Sequence, residues 1–333
     1  MSKTISGAVI GYGPSFDMGK HHATWMEGAG IQFVAVCDVD EGRCTAAKTD
    51  FPTIDTYLDY SDLLARSDID LIVVVLPHNL HAEVTVASLQ AGKNVIVEKP
   101  MCLSVAEADE MIGAATTAGK MLSVFHNRRH DGDYLAIKKA IDDGLIGDVF
   151  HIECSFGNFE RPGDGWRSDK SLSGGNLFDW GAHFLDWILN FVPGPVDSVT
   201  GFFKSDVWKE ATNEDHTQAI LRFANGCVAD LQVSSLSSVP KPKWRILGTK
   251  GGITADWGKT ITVKADHEGH IASFDIPCAA DDWAAYYENI VAYLRGDEPL
   301  NVTAEQSRRT IAIIEAAEKS SRTGQAEKPA HER

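Results

Sequence analysis

The sequence lacks several features that mark specialised protein classes. Its longest uninterrupted aliphatic run is Leu71–Leu76, far below the roughly 20 residues that a membrane-spanning helix needs. The first residues contain no apolar stretch followed by a small-residue cleavage site, so we expect no secretory signal and a cytoplasmic location. No internal repeat and no low-complexity linker interrupts the chain. These absences predict an ordinary globular protein.

An excess of positive charge is also absent. Lysine and arginine number 31 against 47 aspartates and glutamates, which gives a net charge of −16. A surface this negative repels nucleic-acid phosphates and anionic lipids. We therefore expect no nucleic-acid or membrane partner, and a small neutral substrate fits the charge better.

The cysteines are few and scattered. None forms a Cys-x-x-Cys pair or a cluster with histidine, which argues against a disulfide framework and against a structural zinc site. We predict buried thiols and no metal. The six residues are Cys37, Cys44, Cys102, Cys154, Cys227 and Cys278.

The 333 residues suggest two domains. Residues 1–125 alternate short, continuous apolar runs with helical stretches, which is typical of a parallel sheet covered on both faces. They predict an α/β fold with a doubly wound Rossmann domain. The predicted strands are 5–10, 31–37, 71–76, 95–97 and 121–125, and the predicted helices are 19–29, 41–49, 60–66, 79–91 and 104–118.

Residues 126–333 show a different pattern. Apolar residues alternate along 150–156, and Asn225-Gly226 lies between two apolar runs as in a β-hairpin. A C-terminal α+β domain with a large, mostly antiparallel sheet is the prediction. Helices return at about 282–295 and 303–320. The polar tail from about 322 is expected to fray.

A glycine loop follows the first predicted strand and opens a helix. Gly11, Gly13 and Gly19 could let the backbone approach a pyrophosphate at the helix N-terminus. The usual G-x-G-x-x-G spacing would place the third glycine at position 16. Taken alone, the loop could also be a structural turn.

Asp38 ends the second predicted strand. A carboxylate there accepts hydrogen bonds from ribose hydroxyls and repels a 2′-phosphate. Residues 39–41 supply no cation to relieve that repulsion. The pattern favours NAD over NADP. Alternatively, Asp38 has no cofactor role and is a solvated aspartate at the end of a strand.

Two further loops follow sheet strands. Pro77, His78 and His81 come after the third long strand, and Glu98-Lys99 after the next. Ligands of open α/β sheets bind at these carboxyl ends. A lysine fixed there could act on a substrate, although a lone lysine is more often a surface residue.

In the second domain, His183 follows Asp179 by four residues, and Asp186 follows His183 by three. On a helix the three could share one face. A carboxylate beside an imidazole orients it and suits it to act as a general base. A buried structural His–Asp pair is the alternative.

Together these segments resemble the Gfo/Idh/MocA family of oxidoreductases, named for glucose-fructose oxidoreductase and inositol dehydrogenase. Ala91–Pro100 resembles the family's A-G-K-x-V-x-x-E-K-P segment, and Asn127–Arg129 its motif at the domain junction. Gly174–Asp186 resembles the G-G-x-x-x-D-x-G-x-H-x-x-D signature, and Tyr286–Asn289 the late Tyr-Glu-Asn helix. The resemblance spans nearly the whole chain.

The resemblance implies an N-terminal Rossmann domain and an open C-terminal sheet that packs against a second subunit, in a homodimer or homotetramer. It implies oxidation of a secondary hydroxyl of a sugar or cyclitol, with Lys99, Asp179 and His183 as catalytic residues. The sequence departs from the family pattern in two places. The segment Pro14–Met18 is an expansion of the glycine loop, and His78 stands where asparagine is usual.

We therefore predict two sets of ligand residues, for cofactor and for substrate. The cofactor set is Gly11, Gly13, Ser15, Phe16, Met18, Gly19, Asp38, Pro77, His78, His81, Glu98, Lys99 and Asn127. The substrate set is Lys99, Asn127, Trp166, Arg167, Asp179, His183, Asp186 and Tyr287.

The predicted function is an NAD-dependent dehydrogenase in which His183 takes the hydroxyl proton, Asp179 orients the imidazole and Lys99 stabilises the developing alkoxide. Alternatives are a glycosidase of the same family that uses NAD transiently, and a non-catalytic dinucleotide sensor. A periplasmic enzyme with tightly bound NADP is disfavoured by Asp38.

Overall fold

The computed structural model describes residues 4–163 and 165–332. The chain forms two compact units, one up to His126 together with Trp283–Arg308, and one of Asn127–Asp282 together with the residues from Arg309 onward. The segment Trp283–Arg308, which the sequence analysis assigns to the second domain, clusters with the first. Met1–Lys3, Asp164 and Arg333, which belong to the predicted domains, lie outside the described residues.

The elements have the following bounds in the described chain. The strands are β1 Ser6–Ile10, β2 Gln32–Cys37, β3 Asp55–Tyr57, β4 Leu71–Val74, β5 Asn94–Val97, β6 Leu122–Val124, β7 Val149–Gly157, β8 Val196–Lys204, β9 His216–Phe223, β10 Val228–Ser234, β11 Trp244–Gly248, β12 Gly251–Ala255, β13 Thr260–His267 and β14 His270–Pro277. The helices are α1 Met18–Gly28, α2 Glu41–Asp50, α3 Tyr60–Leu64, α4 His81–Gln90, α5 Val105–Ala118, α6 Gly132–Asp142, α7 Lys170–Ser173, α8 Ala182–Phe191, α9 Ala285–Arg295 and α10 Ala304–Thr323.

The first unit is built on a six-stranded parallel sheet of order β3-β2-β1-β4-β5-β6. Every residue of β4 and four of the five in β1 are buried, as expected of strands covered on both faces. The predicted doubly wound domain is confirmed. The strand order reverses between β1 and β4, which opens a ligand crevice at their carboxyl ends.

Helix α9 contributes to the core of this first unit. Tyr286, Tyr287 and Ile290 are buried in the same cluster as Val9 and Phe125. The Phe125 and Tyr286 rings lie edge to face, 4.9 Å apart, a favourable aromatic geometry. A late segment of the chain is therefore part of the packing that supports the first sheet.

The second unit is built on an eight-stranded sheet of order β14-β13-β12-β11-β7-β10-β9-β8. All neighbouring strands are antiparallel except β7 and β10. The predicted mostly antiparallel sheet is confirmed, and Gly226, with φ of 87°, forms the predicted turn between β9 and β10. Trp187 of α8 stacks on Trp244 of β11 with ring centroids 5.4 Å apart.

The polar C-terminal tail is bonded to the second unit, so the predicted fraying is wrong. Glu327 exchanges two backbone hydrogen bonds with Val199 of β8, at 2.8 and 2.9 Å. The Glu332 carboxylate accepts from the Val196 N–H at 2.6 Å and forms an ion pair with Arg309. Composition alone does not reveal these partners, because they lie far away in the sequence.

Candidate active site

The three glycines of the loop after β1 have different structural roles. Gly11 has φ of +102°, and a Cβ there would lie 1.9 Å from the Val75 carbonyl oxygen. A Cβ on Gly19 would lie 2.6 Å from the Gly11 carbonyl oxygen, so α1 approaches the loop closely. At Gly13 nothing lies within 4 Å of a Cβ position. The backbone there is open to a pyrophosphate, while the other two glycines permit the tight turn and the close packing.

The expansion at Pro14–Met18 forms a 3₁₀ turn, Ser15–Asp17, directly before α1. Phe16 has φ of 58° and Asp17 φ of 49°, values that residues with side chains rarely adopt. The Phe16 side chain is 72% exposed. The added residues therefore hold backbone strain next to the helix N-terminus, a feature common at ligand-binding loops.

Asp38 follows β2, and its carboxylate faces the glycine loop. One oxygen accepts a hydrogen bond from the Tyr12 N–H at 2.7 Å, and the other from the Asp40 N–H at 3.0 Å. The Tyr12 hydroxyl in turn donates to Asp50 at 2.8 Å. A carboxylate fixed here can accept from ribose hydroxyls. Together with the open backbone at Gly13, this donor and acceptor set fits a dinucleotide of the NAD type.

His81 supports the loop that follows β4. Its ring is fully buried, with Nδ1 2.7 Å from the Pro100 carbonyl oxygen and Nε2 2.9 Å from the Leu76 carbonyl oxygen. Burial lowers its pKa. His81 stays a predicted cofactor ligand, and in the structure both of its ring nitrogens face backbone carbonyls. Pro77 and the buried His78 lie in the loop that it holds.

A buried chain of hydrogen bonds leads to the end of β5, and we call it the Glu98 relay. The Tyr287 hydroxyl lies 2.6 Å from Nδ1 of His22, and Nε2 of His22 lies 2.9 Å from Oε1 of Glu98. The other Glu98 oxygen accepts from the Lys99 N–H at 3.0 Å. His22 and Tyr287 are fully buried. The relay therefore fixes the backbone at the lysine that the sequence marks as catalytic.

The protonation states of the Glu98 relay follow from its environment. Burial alone raises the pKa of Glu98, but the His22 hydrogen bond and nearby positive charge outweigh it, so the pKa is lowered. Burial raises the pKa of Tyr287, so its hydroxyl stays protonated. The lowered pKa of Glu98 keeps the carboxylate that faces Nε2 of His22 ionised at neutral pH.

Tyr287, which the sequence predicts as a substrate ligand, has a buried hydroxyl that contacts His22. His22 links it to Glu98, so we predict that it also positions Glu98. His22 itself is absent from the predicted ligand sets, although it lies three residues after Gly19 in the glycine loop. Sequence spacing alone gives no sign that a histidine on α1 meets a tyrosine on α9.

Replacing Tyr287 by phenylalanine tests the Glu98 relay. The variant keeps the ring and removes one buried hydrogen bond, so we expect about tenfold weaker NADH binding in a fluorescence titration. Tyr286→Phe is the matched control, because its hydroxyl bonds to Oγ of Ser123 at 2.6 Å, outside the relay. It should lose a similar amount of thermal stability and keep its NADH affinity. Equal NADH affinities in the two variants would contradict the role of the relay.

Lys99 lies at the carboxyl end of β5, after Glu98 and before Pro100. The peptide bond between Lys99 and Pro100 is cis. Its side chain is partly exposed. The carboxyl ends of parallel strands are where open α/β sheets bind ligands. Lys99 therefore lies where a ligand of such a sheet would bind, and the relay fixes its backbone N–H.

A π-helical segment, Leu177–Gly181, carries the first of the predicted catalytic residues of the second unit. Asp179 lies in this segment, and His183 follows in the first turn of α8, with 6% of its surface exposed. The predicted common face assumed a regular α-helix, and the wider π turn changes the angle between the two side chains. Such π segments frequently occur at functional sites.

Arg167 connects Asp179 with Trp166. Its guanidinium donates to Oδ1 of Asp179 at 2.8 Å and lies 4.5 Å from the centroid of the Trp166 ring. The side chains of Arg167 and Asp179 are 33% and 16% exposed. The structure therefore brings three predicted substrate ligands into one partly exposed cluster.

Asp186 is bonded differently from the prediction. Both of its carboxylate oxygens accept from Arg129, at 2.8 and 2.6 Å, and its side chain is 3% exposed. Its role as a substrate ligand stays a prediction, and in the structure a bidentate ion pair holds its carboxylate. Asn127 is 7% exposed and begins the 3₁₀ turn Asn127–His130 that carries Arg129.

The described residues contain neither a group of side chains suited to a metal ion nor a helix suited to cross a membrane. No group of three His, Cys, Asp or Glu side chains within 4–163 and 165–332 could hold a metal ion. Over the same residues, no helix is long and apolar enough to cross a membrane. All six cysteines are present as thiols.

Two protein-family descriptions match the chain. Residues 5–126 match the oxidoreductase family with an NAD-binding Rossmann fold, and residues 134–254 match the GFO/IDH/MocA C-terminal domain. The chain belongs to the Gfo/Idh/MocA family. The resemblance drawn from the sequence motifs is thereby confirmed, and the protein is an NAD-binding oxidoreductase of that family.

Relatives of this Gfo/Idh/MocA protein match over nearly their whole length. The scyllo-inositol 2-dehydrogenase (NADP(+)) IolW of Bacillus subtilis (strain 168) is 28% identical, covering 96% of this chain and 94% of its own. An NAD-binding protein from Listeria innocua has a TM-score of 0.89 at 26% identity, covering 99% of this chain and 98% of its own. The WlbA dehydrogenase from Bordetella pertussis, solved with NADH and UDP-GlcNAcA, has a TM-score of 0.82 at 25% identity, covering 98% and 99%.

Proposed function

We propose that this Gfo/Idh/MocA protein is an NAD-dependent dehydrogenase that reversibly oxidises a secondary hydroxyl of a sugar, glycoside or cyclitol. The observation that carries the proposal is the position of Lys99 at the end of β5, on a backbone fixed by the Glu98 relay. Two relatives support the substrate class. IolW is named as a dehydrogenase of a cyclitol, scyllo-inositol, and WlbA was solved with a nucleotide sugar, UDP-GlcNAcA; both classes carry secondary ring hydroxyls.

Bound NAD would supply the hydride acceptor. His183 would take the hydroxyl proton, because the oxygen must lose its proton as the adjoining carbon is oxidised. The Lys99 ammonium would donate to the oxygen on which negative charge develops, a contribution of about 3 kcal/mol for one well-placed donor. The proposal assigns proton transfer and charge stabilisation to two different residues.

The cluster around Arg167 would bind the substrate. Asp179 would stabilise the imidazolium of His183, and its ion pair with Arg167 holds the carboxylate in place. The guanidinium and the Trp166 ring would offer hydrogen bonds and an apolar face to a polyhydroxylated ring. Asn127 would act beside them as an amide donor and acceptor.

We further propose that NAD is the preferred cofactor. The Asp38 carboxylate, which accepts from the Tyr12 N–H, would repel the 2′-phosphate of NADP. Residues 39–41 contain no lysine or arginine to offset it. The use of NADP that the name of IolW states is a property of that relative.

Replacing Asp38 by serine should shift this preference. The charge is removed, so the ratio of the NADPH to the NADH dissociation constant should fall at least about tenfold. Any loosening of the glycine loop affects both cofactors alike and cancels in the ratio. The control is Asp62→Asn, which removes one exposed charge elsewhere. A ratio unchanged from wild type would show that Asp38 does not select the cofactor.

The dehydrogenase itself is tested by turnover. The protein is mixed with NAD⁺ and, in separate reactions, with inositols, free sugars, methyl glycosides and disaccharides, and absorbance at the reduced-nicotinamide band is followed. We expect NADH formation with one of these classes. If NAD binds but no member of any class is oxidised, the proposal fails. Glycoside cleavage without net NADH would instead indicate the NAD-assisted glycosidase.

A further inference from the structure

Trp257, in the turn between β12 and β13, is an exposed aromatic residue that contacts a buried lysine. Its side chain is 55% exposed, yet the Lys243 ammonium lies only 3.7 Å from the centroid of its ring. Lys243 is itself 1% exposed and pairs with Asp133 at 2.6 Å. The indole is thus held by a cation–π contact to a buried ion pair.

This arrangement determines which face of the Trp257 ring is open. A lysine with 1% exposure can only lie on the inner side, so the face over it is covered. Part of the exposed surface therefore belongs to the opposite face, and the Phe156, Trp180 and Phe184 rings approach the indole edge to face at 5.9 to 6.4 Å. A large aromatic face that is rigidly held and open to solvent is a typical anchor for a ligand.

A row of aromatic rings connects Trp257 to His183 within the second unit. The Trp257 and Trp180 rings are 6.4 Å apart at 84°, and the Trp180 and His183 rings are 6.1 Å apart. Trp180 is fixed by stacking on Phe156 at 4.2 Å. Trp257 thus lies two ring-to-ring steps from the proposed base.

We propose that the open face of Trp257 binds a second sugar ring, joined by a glycosidic bond to the ring that is oxidised. The inference rests on the proposed function, because it places the reacting ring at His183. The C–H face of a pyranose is apolar and carries partial positive charge on its hydrogens, which complements the negative face of an indole. The ring hydroxyls around that face remain in water. The substrate class is accordingly narrowed to disaccharides or larger glycosides.

The experiment compares matched ligands on matched variants by calorimetry, with NAD present. Glucose, galactose and mannose are titrated, followed by cellobiose, lactose and β-1,4-mannobiose. Wild type should bind at least one disaccharide about tenfold more tightly than its component monosaccharides. Trp257→Ala should remove this difference and leave monosaccharide affinity unchanged, and Trp257→Phe should retain most of it. Phe202→Ala, at a 51% exposed aromatic on β8, is the control and should behave as wild type.

The outcomes separate this proposal from the proposed function. A Trp257-dependent preference for disaccharides without NADH formation would support the sugar site and contradict the dehydrogenase. Oxidation of monosaccharides with no disaccharide preference, in wild type or in the variants, would overturn the sugar site alone. A change of oligomeric mass in Trp257→Ala, measured by light scattering, would show that a second copy covers the ring and would also overturn it.

Discussion

Replacement of Lys99 by methionine is expected to lower kcat by two to three orders of magnitude, while NAD still binds. The ammonium is the group that we assign to the developing alkoxide, and loss of one such donor costs about 10²- to 10³-fold. The glycine loop, Asp38 and the Glu98 relay remain intact, because the relay uses the Lys99 backbone N–H. The measurement combines steady-state turnover with NADH fluorescence titration.

A control separates this effect from a general loss of positive charge. Lys139→Met removes a lysine whose side chain is 75% exposed on α6, and it should keep wild-type turnover. If Lys99→Met also kept turnover within about threefold of wild type, the charge-stabilising role would be wrong, because that change corresponds to under 1 kcal/mol of barrier.

Replacement of His183 by asparagine is expected to lower kcat by about 10²- to 10⁴-fold, the usual contribution of a positioned general base. The acidic limb of the pH–rate profile should also be lost, since it reports protonation of that base. Added imidazole should restore part of the activity at high concentration. A merely structural histidine would not give this combined response.

His270→Asn is the matched control, because His270 is an exposed residue on β14. It should keep both the rate and the shape of the wild-type profile. A His183→Asn variant that lost activity but kept the acidic limb would show that another group is the base.

The parallel sheet was predictable because its strands are buried on both faces and form continuous apolar runs. The exception is β3, Asp55–Tyr57, with three residues at the sheet edge and little burial. In the second sheet, the β9–β10 hairpin was predictable from Asn225-Gly226. By contrast, β12 begins with two glycines, which are rare in strands, and no residue of β14 is buried, so its apolar residues do not pack in a core.

The candidate site was only partly predictable, for two physical reasons. Residues that follow strands, such as Asp38 and Lys99, are placed by the topology of the sheet, which the sequence pattern reveals. The partners of Tyr287 and Asp186 come from other elements, 265 and 57 residues away, and only the folded chain brings them together. The π segment also changes the spacing rule that was applied to Asp179.

Transfer of a labelled hydride tests the central claim most directly. The protein is incubated with NADH carrying deuterium at both C4 positions and with a set of inososes, keto-sugars and keto-disaccharides, and the products are analysed by mass spectrometry. We predict an alcohol that carries one deuterium on its carbinol carbon, with wild type and not with Lys99→Met. Binding of NADH without deuterium in any product would contradict the assignment of this protein as a dehydrogenase of cyclic alcohols.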